Sequence, residues 1–231
     1  MQTEVELGTV LISGGASGLG AAIADAVAAH GGTPVVFDLQ QNGRSHSFQR
    51  VDISDRNAVE SALAAVHERH GKIHAVVANA GTDACGPFER VSAEAWERVI
   101  NVNLIGTASL VRAALDDLLE TRGKVITVAS TLGFRVFPDA TAYCASKFGI
   151  VGFTRALASE FAGRIGVTLL IPGGMQTAFF DGREEKYRPG PDASLNKPAD
   201  VANAVIFALS QPPGCEVREL LITPSKETSW P

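Results

Sequence analysis

The chain has 231 residues, 45% of them apolar, and a formal charge of −5. That size suits one α/β domain with a substantial core, here residues 1–231 taken together. No apolar run approaches the ~20 residues of a membrane span, and no basic cluster offers a footprint for nucleic acid or an anionic membrane. The start, Met1 to Gly8, is acidic and lacks a leader pattern. Cys85, Cys144 and Cys215 are scattered and odd in number. They fit a reducing compartment without a disulfide framework, so the cytoplasm is the expected address.

Thr9 to Ser13 reads as a buried strand ending in glycines. Gly18 to His30 has helical periodicity and stops at Gly31-Gly32. Thr33 to Phe37 and, more weakly, His46 to Val51 are β-like. Ser54 or Asp55 can cap a helix to about His70. His74 to Asn79 is the next strand, and Ser92 caps a long helix to about Glu120. Lys124 to Ala129 is a strand, Thr141 to Ala162 a helix and Val167 to Ile171 a strand stopped by Pro172-Gly173-Gly174. Lys197 to Ser210 and Arg218 to Ile222 are a last helix and strand. Such alternation predicts an α/β fold: a single-domain, doubly wound parallel sheet, Rossmann-like, with helices on both faces. Ligands on such sheets bind beyond the carboxyl ends of the strands. Gly14, Asp38, Asp52, Asn79, Ser130 and Pro172 all fall there. The polar, glycine- and proline-containing stretch within 177–197 is long enough to be a substrate loop or lid.

Three features carry chemistry. Ser13-Gly14-Gly15-Ala16-Ser17-Gly18-Leu19-Gly20 joins the first strand to the first helix. Glycines allow close backbone approach to a pyrophosphate, and the helix start offers free N–H groups. The spacing is Gly-x-x-x-Gly-x-Gly rather than the common fingerprint. Asp38 ends the second strand, where a carboxylate accepts both adenosine ribose hydroxyls and repels a 2′-phosphate. Neither Ser17 nor Leu39 supplies a cation for that phosphate, which favours NAD over NADP. Finally, Tyr143 and Lys147 stand one helical turn apart. An ammonium ~4 Å from a phenol, at an effective dielectric of ~20, is worth roughly 4 kcal/mol, or about three pKa units. The lysine is therefore expected to bring the phenol near pH ~7, where general acid–base catalysis works best.

In this order and at these places, the motifs resemble the short-chain dehydrogenase/reductase family in its classical form, over about Thr9 to Ile222. The resemblance implies that Ser13, Gly14, Ser17, Gly18, Leu19 and Gly20 form the glycine turn, with Ser13 where Thr is usual. It implies that Asp52 and Ile53 contact the adenine, and that Asn79-Ala80-Gly81 steadies the sheet beside the cofactor. Asn103, Ser130 (thirteen residues before Tyr143), Tyr143 and Lys147 match the family's catalytic set. Pro172, Gly173 and Thr177 match the segment along the nicotinamide. The implied activity is NAD-linked alcohol–ketone interconversion, with Tyr143 moving the proton, Ser130 holding the substrate oxygen, Lys147 also bonding the nicotinamide ribose, and Asn103 positioning a water that links Lys147 to solvent. A homodimer or homotetramer is implied, pairing the helices of 92–120 and 141–162.

Two departures stand out: the helix between the second and third strands is missing or vestigial, and Thr168 replaces a frequent Asn. Leu132, Phe134, Val136, Phe137, Met175, Phe179, Phe180 and Tyr187 are candidate pocket residues pointing to an apolar alcohol or ketone. Arg135, Arg183 and Arg188 either bind a carboxylate or, more simply, are surface charges. No metal site is expected: His67, His70 and His74 are evenly spaced, but Gly71 ends the helix between them. No Gly-x-Ser-x-Gly elbow supports a hydrolase, and the chain lacks the longer substrate domain of extended-subgroup epimerases. The rival from another class is a non-catalytic NAD-binding sensor or assembly subunit.

Overall fold

A computed structural model describes residues 6–230. Most of the acidic start read above, Met1 to Val5, lies outside the described residues. Seven strands form one parallel sheet in the order β3-β2-β1-β4-β5-β6-β7. They are β1 (Thr9–Ser13), β2 (Thr33–Asp38), β3 (Ser47–Arg50), β4 (Ala75–Ala78), β5 (Lys124–Val128), β6 (Gly166–Pro172) and β7 (Glu219–Ile222). The chain starts at the middle of the sheet, runs to one edge, then returns and runs to the other. The reversal falls between β1 and β4, so a cleft opens there at the carboxyl ends.

Strand side chains alternate between two cores, as the two-residue period of a strand requires. Leu11, Val35, Val76 and Val125 join one cluster with Val59, Leu63, Leu110 and Leu118; Val10, Ile12, Val36 and Val77 join the other with Ile23, Val27, Val201 and Val205. The first core lies under α2 (Arg56–His70) and the helices that follow β4; the second lies under α1 (Gly18–Ala29) and α7 (Pro198–Leu209). β2 passes to β3 without a helix, as the short stretch from Asp38 to Asp52 predicts.

The long helix expected from Ser92 to Glu120 is broken. It consists of α3 (Ala93–Ile100), a π-helical segment Asn101–Gly106, α4 (Thr107–Ala113) and α5 (Leu115–Thr121). Ile53 lies against the backbone at Gly106, where an added Cβ would come within 2.9 Å of it. Inside the wide turn, Thr107 Oγ1 donates to the Asn103 carbonyl at 2.8 Å. The second break is at Ala114, whose φ of −89° and ψ of 2° leave the helical region. Asp55, not Ser54, caps α2, its carboxylate accepting the Asn57 and Ala58 N–H groups. The remaining long helix is α6 (Thr141–Glu160).

Candidate functional site

The turn between β1 and α1 is shaped by backbone crowding. Gly14 has φ of +66°, and a Cβ there would lie 2.8 Å from Ala80 Cα; a Cβ on Gly20 would overlap the Gly14 carbonyl oxygen. Only glycine lets the turn, the helix and the β4 end come this close. Ser13 and Asn79 fasten the assembly. Ser13 Oγ accepts the Asn79 and Ala80 N–H groups, each at 3.1 Å, and Asn79 Nδ2 donates to the Ser13 and Gly14 carbonyls at 3.1 and 3.2 Å. Asp38 stands across the turn: its Oδ2 accepts the Ala16 N–H at 2.9 Å and its Oδ1 the Gln40 N–H at 3.2 Å. This carboxylate beside a glycine-lined helix start fits the adenosine ribose and pyrophosphate of a dinucleotide.

From there a cavity of about 930 Å³ runs along the carboxyl ends of the strands. Gly14, Ser17, Gly18, Leu19, Asp38, Asp52, Ile53 and Asn79-Ala80-Gly81 line one part; Ser130, Tyr143, Lys147, Pro172, Gly173 and Thr177 line the other. Ser13, Gly20 and Asn103 stand behind its wall. Asp52 does not reach out freely, because its Oδ1 accepts both the N–H and the hydroxyl of Ser54, at 3.0 and 2.6 Å.

At the second end, Ser130 follows β5, and Tyr143 and Lys147 project from α6. Lys147 is 4% exposed. Its Nζ donates to the Val128 carbonyl at 2.8 Å and stands 5.5 Å from the Tyr143 ring centroid. Burial lowers the ammonium to about 8, with the Asp83 carboxylate pulling weakly the other way. Burial also pushes the Tyr143 phenol above its usual value, the Ser130 hydroxyl opposing that rise. The expectation that Lys147 brings Tyr143 near pH ~7 is therefore corrected: the phenol lies above its ordinary value. The spacing places the two groups together, but loss of water raises the phenol and lowers the ammonium.

A test follows from linkage. Between pH 8 and the ordinary lysine value of 10.5 the unfolded chain holds a proton on Lys147 that the folded chain has released, so stability rises with pH across that window. The unfolding free energy of the wild type relative to Lys147→Met should rise there by up to roughly 3 kcal/mol. Parallel stability curves from chemical denaturation would contradict it.

Asn103 is 1% exposed. Its Oδ1 accepts the Thr82 N–H at 2.8 Å, and its Nδ2 donates to the Thr82 carbonyl and Ser146 Oγ, both at 2.9 Å. Its side chain is thus fully engaged in joining the β4 end to α6. Thr168 bonds the Val217 carbonyl through Oγ1 at 2.7 Å, a local substitution away from the cleft.

Of the apolar candidates, Leu132, Phe137, Met175, Phe179, Phe180 and Tyr187 line the cavity. Phe134 and Val136 do not: Phe134 packs on Trp230, and Val136 is 72% exposed. Arg183 corrects the surface-charge reading. It is largely buried, pairs with Asp83 at 2.8 Å and lies 4.8 Å from the centroids of both Phe179 and Phe180. Arg135 and Arg188 are exposed. The sequence does not single out Asp83, and it marks Cys85 only as one of three thiols; in the fold Cys85 Sγ donates to Asp83 Oδ2 at 3.0 Å, and burial pushes the thiol up to about 12. Their one signal was position, in the loop after Asn79-Ala80-Gly81. Among the described residues no cluster of His, Cys, Asp or Glu suits a metal; His67 faces Asp117 and His70 faces Ser47.

A parallel sheet whose reversal point carries a glycine turn, an acidic strand end and a Ser–Tyr–Lys cluster defines a doubly wound nucleotide-binding oxidoreductase fold. The short chain dehydrogenase family description matches residues 8–188. The chain belongs to the short-chain dehydrogenase/reductase family. It is 30% identical over 219 residues to a 3-oxoacyl-[acyl-carrier-protein] reductase of Thermotoga maritima, covering 87% of this chain and 89% of that one. It is 32% identical over 221 residues to a 2,5-dichloro-2,5-cyclohexadiene-1,4-diol dehydrogenase of Sphingobium indicum, covering 87% and 88%. Among solved structures, an alcohol dehydrogenase of Thermococcus sibiricus complexed with 5-hydroxy-NADP superposes with a TM-score of 0.82 at 28% identity, covering 93% of this chain and 95% of that one.

Proposed function

We propose that the chain is an NAD-dependent oxidoreductase that interconverts a secondary alcohol and a ketone. One observation carries the reading: Asp38 with the glycine turn, and Ser130 with Tyr143 and Lys147, open on the same continuous cleft. The nicotinamide would accept or donate the hydride, its positive charge when oxidised favouring the phenolate. Tyr143 takes the proton of the substrate hydroxyl, or returns it in reduction. Ser130 donates to the substrate oxygen and stabilises its developing charge. Lys147 stands beside the phenol, charged below its lowered pKa of about 8, and offers a donor for the nicotinamide ribose. Asn103 holds the β4 end against α6, and a water placed there would link Lys147 to solvent. Asp52, Ile53 and Asn79-Ala80-Gly81 bound the adenine side; Pro172, Gly173 and Thr177 bound the nicotinamide side. With NAD as the partner, alcohol oxidation is the favoured direction.

The substrate reading is a small to medium apolar alcohol or ketone. Phe137, Met175, Phe179 and Phe180 supply the apolar wall, and the partly buried Arg183 beside Phe179 and Phe180 is already paired with Asp83. Residues 177–197 act as a lid, tied down by Arg183 to Asp83 and by Tyr187, whose hydroxyl donates to Asp139 at 2.8 Å. The whole of 1–231 works as one domain. Three free thiols fit a reducing cytoplasm, and no helix among the described residues is long and apolar enough to cross a membrane.

Ile105 and Phe148, 46% and 45% exposed on the helices after β4 and on α6, favour burial against a second copy, as a homodimer or homotetramer. Light scattering should give a multiple of the chain mass; a monomer would contradict this. The activity itself is tested with a panel of secondary alcohols and NAD, following absorbance of the reduced nicotinamide. Dinucleotide binding without turnover of any alcohol would favour a sensor instead.

A further inference from the structure

We propose that Glu227 and Ser229 are positioning residues that clasp the two strand-end segments flanking the reaction centre. The inference rests on the reading of the cleft as a dinucleotide and alcohol site. After β7 the chain turns back over the carboxyl ends of the strands, so that Glu227, Thr228 and Ser229 line the same cavity as Tyr143. Glu227 Oε2 accepts the Gly174 N–H at 3.1 Å. Glu227 Oε1 accepts the Ser229 N–H at 2.9 Å and the Ser229 hydroxyl at 2.7 Å. With its own proton committed to the carboxylate, Ser229 Oγ is left to accept from Thr131 Oγ1, 2.6 Å away. Both hydroxyls are buried. Trp230 packs edge-on against Phe134, with ring centroids 5.7 Å apart, and closes the segment down.

The ends of this chain of bonds are what give it meaning. Thr131 adjoins Ser130, the proposed donor to the substrate oxygen. Gly174 adjoins Pro172-Gly173, the proposed nicotinamide wall. No backbone hydrogen bond directly joins residues 129–131 to residues 173–174. The carboxylate therefore sets the spacing between substrate donor and cofactor wall beyond the end of the sheet. The approach is tight: a Cβ on Gly173 would overlap Glu227 Oε2. Burial alone would raise the Glu227 carboxyl, yet the donors from Ser229 and Gly174 hold it below the usual range, as expected for a charge that organises its neighbours. Misplacing reacting groups by ~1 Å can cost about 10²-fold in rate, so loosening this clasp should act on turnover. Asp38 and the glycine turn are not part of it, so dinucleotide affinity should hold.

The experiment compares Glu227→Ala, Glu227→Gln and Ser229→Ala with the wild type, and uses Lys226→Ala, an exposed neighbour, as control. Binding of NADH is read by quenching of Trp230 in a Trp96→Phe background. Turnover is read with the best alcohol of the panel, and amide exchange by mass spectrometry of the peptides containing Gly174 and Thr131. Glu227→Ala should lower kcat by roughly ten- to a hundredfold, change the NADH dissociation constant by less than about twofold, and speed exchange in both peptides. Glu227→Gln keeps one acceptor and should recover part of the loss. If Glu227→Ala does not fold, Glu227→Gln and Ser229→Ala carry the same test. Unchanged kcat in folded variants, or equal losses in kcat and NADH affinity, overturns the clasp. A wild type that binds no dinucleotide overturns the functional reading, and the clasp with it.

Discussion

Tyr143→Phe should lower turnover by roughly 10³-fold or more while leaving the fold and dinucleotide binding in place. General acid–base catalysis by one positioned group contributes about 10² to 10⁴, and no other phenol can substitute. Tyr187, the second of two tyrosines, is committed to Asp139. The removed hydroxyl is the one that burial holds protonated and that the Ser130 hydroxyl pulls back toward ionisation. The wild type should therefore oxidise alcohols faster as pH rises, because the phenolate is the working base and burial opposes its formation. In the Tyr143→Phe protein that rise should vanish. Because only two tyrosines exist, ultraviolet titration of a Tyr187→Phe protein reports Tyr143 alone. Its ionisation should lie above the ordinary tyrosine value without a dinucleotide and fall when NAD is added. Wild-type turnover from Tyr143→Phe would remove the tyrosine from the mechanism.

The second large effect concerns cofactor choice. Asp38→Asn should raise the NADP:NAD ratio of kcat/KM by about 10³-fold. A carboxylate ~4 Å from a 2′-phosphate costs roughly 4 kcal/mol at an effective dielectric of ~20. Asparagine removes the charge and keeps one oxygen, enough for the Ala16 N–H on the glycine turn, while its amide nitrogen gives up the bond from the Gln40 N–H. The glycine turn should stay closed, so the effect separates from general damage. NADP use remains weak in absolute terms, since Leu39 is apolar and Ser17 neutral. Arg44, the nearest basic residue in the β2–β3 connection, is paired with Asp25. Equal loss with both dinucleotides would show that Asp38 supports the turn rather than reading the ribose.

Much of this was legible because strand ends are marked in sequence. Glycines, Asp38, Asn79 and Pro172 interrupt short apolar runs, and the doubly wound order carries those interruptions to one edge of the sheet. The i, i+4 spacing correctly put Lys147 beside Tyr143. It could not foresee their titration, since Val128, which takes the Lys147 proton donor, and the apolar surroundings come from other elements. The broken helix at Asn101–Gly106 was illegible for a related reason: its periodicity is continuous, and the contact that accompanies the wide turn, Ile53 against Gly106, comes from a residue far away in sequence. Asp83 with Arg183 and Glu227 with Gly174 are separated by 100 and 53 residues. Nothing local distinguishes those carboxylates from surface ones, and only the folded chain turns them inward.

The proposed reaction is hydride transfer between substrate carbon and nicotinamide with Tyr143 moving the proton. The most direct measurement supplies NAD and a panel alcohol deuterated at its carbinol carbon, then analyses the dinucleotide by mass spectrometry. The wild type should place a deuterium in the reduced nicotinamide, and Tyr143→Phe essentially none in the same time. Bound NAD that never acquires deuterium from any alcohol, or equal labelling by both proteins, would contradict it.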